Sequence, residues 1–157
     1  MAKASEAGES VSGASPARDA NRSDNQAPKL TPVRQKILDL LRQNIEPIGA
    51  YALRDRLEAA LARSVSPPTV YRALSYLHRC GLAARIASRN GWIARDQPDG
   101  ECDVLYCVCR ACGTVVQTPG LDARATLLSL AGRRGFVAND CTLEVSGLCA
   151  RCRIGEG

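Results

Sequence analysis

Apolar residues recur at helical spacing in three stretches between positions 29 and 80. In the first stretch, Val33 is followed by apolar residues at i+4, i+7 and i+8, which is typical of a single apolar stripe along an α-helix. The second and third stretches carry stripes of the same kind. We therefore predict three helices, whose buried faces are, in order, Val33, Ile37, Leu40 and Leu41; Leu53, Leu57, Ala60 and Leu61; and Val70, Ala73, Leu74 and Leu77.

Start signals precede the first and third of these stripes. Thr31 is a good N-cap residue, and Pro32 after it loses no hydrogen bond in the first helical position. Ser66 is expected to cap the third helix in the same way, with both prolines of "SPP" in the first turn. This third helix is expected to run from about Pro67 to Cys80.

The stretch after the third helix, "LAARIASRNGWIARD", predicts a β-hairpin. Its Asn90-Gly91 pair is a strong signal for a two-residue turn, and apolar and β-prone residues flank it. Three short helices followed by a hairpin are the pattern of a winged helix-turn-helix. We therefore predict an N-terminal domain of that type.

The remainder of the chain predicts a small α/β domain after a polar, turn-rich linker. The stretches "DVLYCVC" and "TVVQT" are typical of strands on either side of a CRACG turn. A helix is expected over "LDARATLLSLAGRRG", ending at Gly135, and a returning strand over "FVANDCTLEVSG". The predicted fold class is α+β, with a disordered tail at 1–28, the winged helix at 29–95, a linker at 96–103 and a second domain at 104–157.

Positive charge is concentrated in the predicted winged helix. Residues 29–95 carry twelve basic and four acidic side chains, a balance of +8, whereas residues 96–157 carry six basic and eight acidic, a balance of −2. A basic domain beside a near-neutral one suggests a polyanionic partner for the basic one alone. No apolar run approaches the roughly 20 residues of a membrane span, and the N-terminus lacks a secretory signal, so we expect a cytoplasmic protein without a membrane partner.

The third helix has a second, polar face that can meet DNA. Thr69, Arg72, Tyr76 and Arg79 fall on one stripe opposite the apolar one. Arg72 is the best candidate for reading a base, because a guanidinium can bond O6 and N7 of guanine together. Thr69 and Tyr71 can bond phosphates or meet a thymine methyl, and Arg34 can hold a backbone phosphate. The alternative is that these are ordinary solvated helix residues.

Two C-x-x-C pairs form the predicted metal site. Cys109 and Cys112 make the first pair, and Cys149 and Cys152 make the second. Four thiolates suit a tetrahedral, structural zinc ion with no open position for water, one per chain. An iron–sulfur cluster uses the same ligands, and a redox dithiol pair or a disulfide are the further alternatives. No paired carboxylates or Ser/His/Asp constellation indicates an enzyme.

The order of the motifs "LTPVRQKIL", "AYALRDRL", "PPTVYRAL", "GLAARI", "CRACG" and "GLCARC" resembles the ferric uptake regulator family, most of all its zinc uptake regulator branch. The resemblance implies a C-terminal dimerisation domain and a homodimer that binds a palindromic double-stranded DNA operator and represses metal-uptake genes. It also implies that the four paired cysteines hold structural zinc, that Tyr71 and Arg72 read DNA, and that Tyr51 can face DNA as well.

The chain departs from the family at the second, regulatory metal site. Ala87 and Arg95 stand at the corresponding wing positions and cannot ligate zinc, Ser146 is a poor ligand, and Cys102 replaces a linker histidine. One hypothesis is a sulfur-rich second site made by Cys102 and Cys141, with Cys107, Asp96 or Glu101. The alternative is that Cys107 and Cys141 are small buried apolar residues.

The resulting functional prediction is a metal-responsive DNA-binding repressor, with zinc-uptake genes as its targets. Three alternatives keep the same fold. The protein could be a thiol-based redox regulator, a regulator that has lost metal sensing, or a protein that binds a partner other than DNA.

Overall fold

A computed structural model describes residues 28–96, 104–120, 122–138 and 141–154. The predicted tail, apart from its last residue, and the linker after Asp96 lie outside these ranges, so the domain boundaries stay predictions. The fold combines helices and strands, as the apolar pattern predicted. Its elements are helix α1 (Pro32–Arg42), α2 (Ala50–Leu61), α3 (Pro67–Arg79), strand β1 (Ala83–Ile86), β2 (Gly91–Ala94), β3 (Val104–Cys109), β4 (Val115–Pro119), α4 (Ala123–Gly132), β5 (Leu143–Gly147) and α5 (Ala150–Ile154).

The first and third helices begin where their start signals stand. The hydroxyl of Thr31 accepts a hydrogen bond from the backbone N–H of Arg34 at 3.4 Å, which confirms the predicted cap. The predicted cap by Ser66 is wrong in its chemistry. Ser66 occupies the N-cap position, but its Oγ lies 2.9 Å from Oγ1 of Thr69 instead of meeting a backbone N–H. The carbonyl of Ser66 accepts the N–H of Thr69 at 3.0 Å.

The three predicted apolar stripes meet in one core. The buried face of α3 is complete, because all four of its predicted residues are buried. In α2 the buried face is narrower than predicted, since Ala60 is exposed and Leu61 is half-buried. The largest fully buried side chains of this core are Ile37, Leu41, Leu53, Leu57, Val70, Leu74 and Leu77. The core fixes α3 by one face and leaves its opposite face at the surface.

The β1–β2 hairpin, called the wing below, differs from the predicted two-residue turn. Ile86 pairs with Gly91, and a short 3-10 turn at Ala87–Arg89 connects the strands together with Asn90. Asn90 has φ 47°, a left-handed conformation that asparagine tolerates, whereas Gly91 is already part of the second strand. The Asn-Gly pair therefore marks the end of a longer turn.

Gly91 is needed because another backbone passes close to it. A Cβ built on Gly91 would lie 2.7 Å from Cβ of Pro47. The neighbouring Trp92 exchanges both backbone hydrogen bonds with Ile48, each at 2.9 Å. The segment between α1 and α2 is thereby held against the wing at van der Waals distance.

Replacing Gly91 with alanine should overpack this contact. We expect the Gly91→Ala variant to lose about 1–3 kcal/mol of unfolding free energy, measured by urea denaturation. Gly132→Ala is the matched control, because a Cβ at that helical residue meets nothing within 4 Å. The control should be neutral or slightly stabilising, since alanine favours a helix. Equal stability of Gly91→Ala and the wild type would contradict the close approach.

The C-terminal sheet has the strand order β4-β3-β5. Strand β4 is antiparallel to β3, and β5 is parallel to it. Helix α4 ends at Gly132, three residues before the predicted end, and Gly135 follows it with φ 73°. The returning strand is also shorter than predicted, since it begins at Leu143 and the described residues 136–138, 141 and 142 lie outside it. None of the described helices is long and apolar enough to cross a bilayer.

One face of this sheet packs against the wing. Along β3, Tyr106 and Val108 are buried and alternate with the half-buried Cys107. The apolar cluster between wing and sheet consists of Ala84, Ile86, Ile93, Tyr106, Val108 and Val115. Burial also raises the pKa of the Tyr106 phenol. The wing therefore packs against the helical core and also against the C-terminal sheet.

Candidate metal centre and nucleic-acid interface

The four paired cysteines come together at one end of the C-terminal sheet. Their Sγ atoms all lie within 4.8 Å of one another. Parallel pairing explains this meeting, because Cys109 and Gly147 are register partners at the ends of β3 and β5. The chain that leaves β5 therefore delivers Cys149 and Cys152 beside the turn that follows β3. Among the described residues, no other cluster of three or more potential metal ligands occurs.

The turn at 109–113, called the knuckle below, is shaped by backbone hydrogen bonds. The N–H of Gly113 donates to the carbonyl of Cys109 at 3.1 Å, and Gly113 itself has φ 77°. The N–H of Arg110 donates to the carbonyl of Gly147 at 2.8 Å, which ties the knuckle to the end of β5. The N–H of Cys149 donates to Sγ of Cys109 at 3.4 Å. These bonds hold the two C-x-x-C turns against each other.

The thiols differ strongly in acidity before any metal is bound. Hydrogen bonds from the backbone N–H groups of Cys112 and Cys149 lower the pKa of Cys109 to about 6. Hydrogen bonding to Cys149, and then to Cys112, raises the pKa of Cys152 to about 12. Cys109 therefore ionises more readily than Cys152. A divalent cation bound by the four sulfurs displaces the remaining thiol protons, because a metal ligand is the thiolate.

This donor set fits zinc. Zinc favours four sulfur ligands in a tetrahedron, and four cysteines leave no open position for water or substrate. Such an ion has a structural role, since it cannot offer a coordination site for catalysis. The metal would hold the end of β3 to the start of α5.

Among the described residues, the remaining cysteines do not join a cluster of this kind. Cys107 is half-buried on the sheet, where its register partners are Val116 and Val145. Cys141 precedes β5 and is half-buried. Cys102 lies outside the described residues. The hypothesis of a second sulfur-rich site therefore stays a prediction.

The predicted DNA-reading face of α3 is at the surface. Arg72 and Arg79 are exposed, Tyr71 is 46% exposed, and Thr69 and Tyr76 are half-buried. These positions lie opposite the buried face that anchors α3 in the core. The helix is therefore placed as a DNA-binding helix requires, with a fixed inner face and an available outer one.

Two further predicted residues extend this face onto α1 and α2. The guanidinium of Arg34 lies 3.6 Å from the ring centroid of Tyr76, so the two side chains form a cation–π pair. Tyr51 at the start of α2 is 63% exposed. The only histidine, His78, instead turns towards the wing, where its Nδ1 lies 3.2 Å from the carbonyl of Ala83.

A cleft of about 290 Å³ joins the two exposed tyrosines. It also contains Arg85, a wing residue that the sequence interpretation did not single out. Arg85 is the exposed member of β1 and donates to Oδ1 of Asn90 at 3.3 Å. The alternation of buried and exposed positions in "AARI" is the signal that could have identified it. The cleft is lined by Gly49, Ala50, Tyr51, Tyr71, Arg85, Asn90 and Trp92.

The chain has curated relatives among bacterial zinc regulators. The zinc uptake regulation protein of Escherichia coli (strain K12) is 33% identical over 127 residues, which are 79% of this chain and 72% of that protein. The zinc uptake regulation protein of Mycobacterium tuberculosis (strain ATCC 25618 / H37Rv) is 27% identical over 105 residues, 67% of this chain and 79% of that protein.

Solved structures and a family model extend this similarity. A zinc uptake regulator complexed with zinc and DNA has a TM-score of 0.74 and 32% identity, covering 82% of this chain and 85% of that one. Holo XcZur has a TM-score of 0.73 and 34% identity, covering 82% of this chain and 89% of that one. The model of the ferric uptake regulator family matches residues 25–146, which is most of the chain. The chain thus belongs to the ferric uptake regulator family.

Proposed function

We propose that this protein is a zinc-containing transcriptional repressor that binds duplex DNA and controls zinc-uptake genes in the cytoplasm. The observation that carries the proposal is the outer face of α3, where Tyr71 and Arg72 are exposed above a buried apolar face. The +8 charge balance of residues 29–95 supports a polyanionic partner for this part of the chain. The similarity to a zinc uptake regulator complexed with zinc and DNA supports the same partner.

In this proposal the four clustered cysteines hold zinc and α3 enters the major groove. Arg72 reads a guanine, and Thr69, Tyr71, Tyr76 and Arg79 contact neighbouring bases or phosphates. Tyr51 and Arg34 extend the contact to the DNA phosphate backbone on either side of the groove. A homodimer would present two such helices to the half-sites of a palindromic operator.

Arg72 provides the test of DNA reading. The full-length protein loaded with one zinc ion per chain would first be used to select duplexes from a random library. On the selected duplex, Arg72→Ala should weaken binding roughly 5- to 150-fold, because one guanidinium–guanine pair contributes about 1–3 kcal/mol. Fluorescence anisotropy at fixed salt would measure this affinity.

Arg133→Ala is the matched control for charge, because Arg133 is exposed beyond the end of α4. It removes the same charge at a residue outside the proposed DNA-binding set and should leave affinity within about twofold, since an exposed charge that does not contact DNA is screened by salt. If the selection yields no common sequence, or if Arg72→Ala binds the selected duplex as tightly as the wild type, the proposal fails.

A thiol-based regulator on the same fold is the second candidate. The distance of 3.8 Å between Sγ of Cys112 and Sγ of Cys149 favours it, because an added oxidant such as diamide can convert two thiols this close into a disulfide. Affinity for the selected duplex would then follow diamide treatment and would not change as zinc is raised from none to one equivalent per chain. The same anisotropy assay distinguishes the two functions.

A further inference from the structure

The junction between wing and sheet is held by groups of this chain itself. At the two wing positions where the resemblance implies regulatory metal ligands, the chain has Ala87 and Arg95. The Nε of Arg95 is buried without a hydrogen-bond partner. A guanidinium there would repel a divalent cation. The structure shows other contacts that fix the wing.

A carboxylate from β5 closes on the turn of the wing. Glu144 accepts the backbone N–H of Ala87 at 2.6 Å through one oxygen and that of Ser88 at 3.2 Å through the other. Hydrogen bonds to an ionised acceptor are stronger than neutral ones. Glu144 therefore fixes the turn of the wing with a single side chain.

An arginine from the same turn reaches the knuckle. Nη2 of Arg89 donates to the carbonyl of Cys109 and, at 3.0 Å, to the carbonyl of Arg110. Both acceptors belong to the turn that carries the first two zinc ligands. The position of these carbonyls depends on the path of the knuckle, which the four sulfur ligands define when they close on one ion.

The other end of the junction is held without any metal ligand. The side-chain amide of Gln117 donates to the carbonyl of Ala94 at 2.8 Å and accepts the N–H of Asp96 at 3.3 Å. The N–H of Val115 donates to the carbonyl of Ile45 at 3.1 Å. Together with the apolar cluster, these bonds join the wing and the α1–α2 connection to the C-terminal sheet.

We propose that Arg89 and Glu144 are positioning residues that fix the wing for DNA binding, and that the zinc-filled knuckle acts on the wing through Arg89 without a second ion. This inference rests on the proposed function and names its regulation. Loss of zinc leaves four thiols with no common partner, so the knuckle relaxes and Arg89 loses both carbonyl acceptors. The turn of the wing then loses one of its two polar anchors, and only Glu144 still holds it to the sheet.

A zinc titration tests whether a second ion takes part. Wild-type protein holding one zinc ion per chain should bind the selected duplex with the same affinity as protein given several further equivalents. Elemental analysis would establish the starting content. A tenfold or greater rise in affinity with the second equivalent would overturn the proposal.

Hydrogen exchange of the DNA-free protein tests the path through Arg89. In Arg89→Ala, zinc content should stay at one per chain, while the amides of Ala87 and Ser88 exchange about tenfold faster and affinity for the selected duplex falls about tenfold. Arg89→Lys should show smaller changes in both amide exchange and DNA affinity, since an ammonium can donate to the same carbonyls. Arg110→Ala is the matched control, because it removes an arginine from the knuckle but keeps the carbonyl that Arg89 binds.

Glu144→Gln supplies an independent variant. It keeps an acceptor of similar shape but removes the charge, so the same two amides should exchange faster with zinc retained. If these amides exchange at the wild-type rate in both Arg89→Ala and Glu144→Gln, the inference is wrong. If the wild type selects no duplex but the two variants show the expected changes in amide exchange, the proposed function is refuted. The coupling of knuckle and wing is then established independently of DNA binding.

Discussion

A Cys112→Ser variant should lose its zinc ion and, with it, the order of the C-terminal sheet. A structural zinc site contributes on the order of 10–16 kcal/mol of apparent binding free energy, which is also folding free energy when no site exists in the unfolded chain. The C-terminal sheet has only a small apolar core, since its buried apolar side chains are confined to Tyr106, Val108, Cys109, Val115 and Leu143. Zinc per chain by elemental analysis and near-ultraviolet circular dichroism would measure the two losses.

Cys107→Ser is the matched control for this experiment. It makes the same chemical change on the same sheet, but Cys107 is not part of the four-sulfur cluster. The control should retain one ion per chain. A Cys112→Ser protein that keeps one ion through gel filtration in a chelating buffer would show that the cluster does not act as a closed four-ligand site.

A Leu74→Ala variant should lose a large part of the unfolding free energy of the helical domain. Leu74 has no exposed surface and lies in the core formed by α1, α2 and α3. Removing a buried leucine side chain costs about 2–5 kcal/mol, part of it from the cavity left behind. That is a large share of the roughly 5–15 kcal/mol by which an ordinary domain is stable. The midpoint of urea unfolding, followed at the single tryptophan, Trp92, should fall accordingly.

Ile45→Ala controls for the loss of an aliphatic side chain, because Ile45 is 62% exposed. Its unfolding midpoint should stay close to that of the wild type. DNA affinity gives a second measure, since Leu74 and Arg72 lie on opposite faces of α3. Under conditions where Leu74→Ala is fully folded, its affinity for the selected duplex should match the wild type. An unchanged midpoint for Leu74→Ala would contradict the observed core.

Sequence periodicity predicted the helical half well because each helix has to bury one stripe. The apolar residues of α3 follow directly from that need, whereas the start of α1 follows from the capping chemistry of Thr31. The turn of the wing was predicted less well, since Gly91 is selected by the nearby Pro47 and not by a positive φ. A local turn rule has no information about a segment more than forty positions away.

The metal site was predictable for a different reason. C-x-x-C spacing is a local property, so the two pairs could be recognised before their meeting was known. The contacts between the wing and the C-terminal sheet have no such local signal in the sequence. Glu144 and Ala87 are 57 positions apart, and neither residue type indicates the other. Only the pairing of β5 with β3 brings them together.

The parallel pairing of β5 with β3 also sets an order of events during synthesis. The apolar core of the three helices is complete once the chain has been made as far as Ala94, before the first zinc ligand. The second pair of ligands follows much later, since Cys149 comes 40 residues after Cys109. Domains generally fold as units, the N-terminal one first. A nascent chain can therefore contain a folded α3 well before it can form the metal site, which is complete only when the last cysteine has been added.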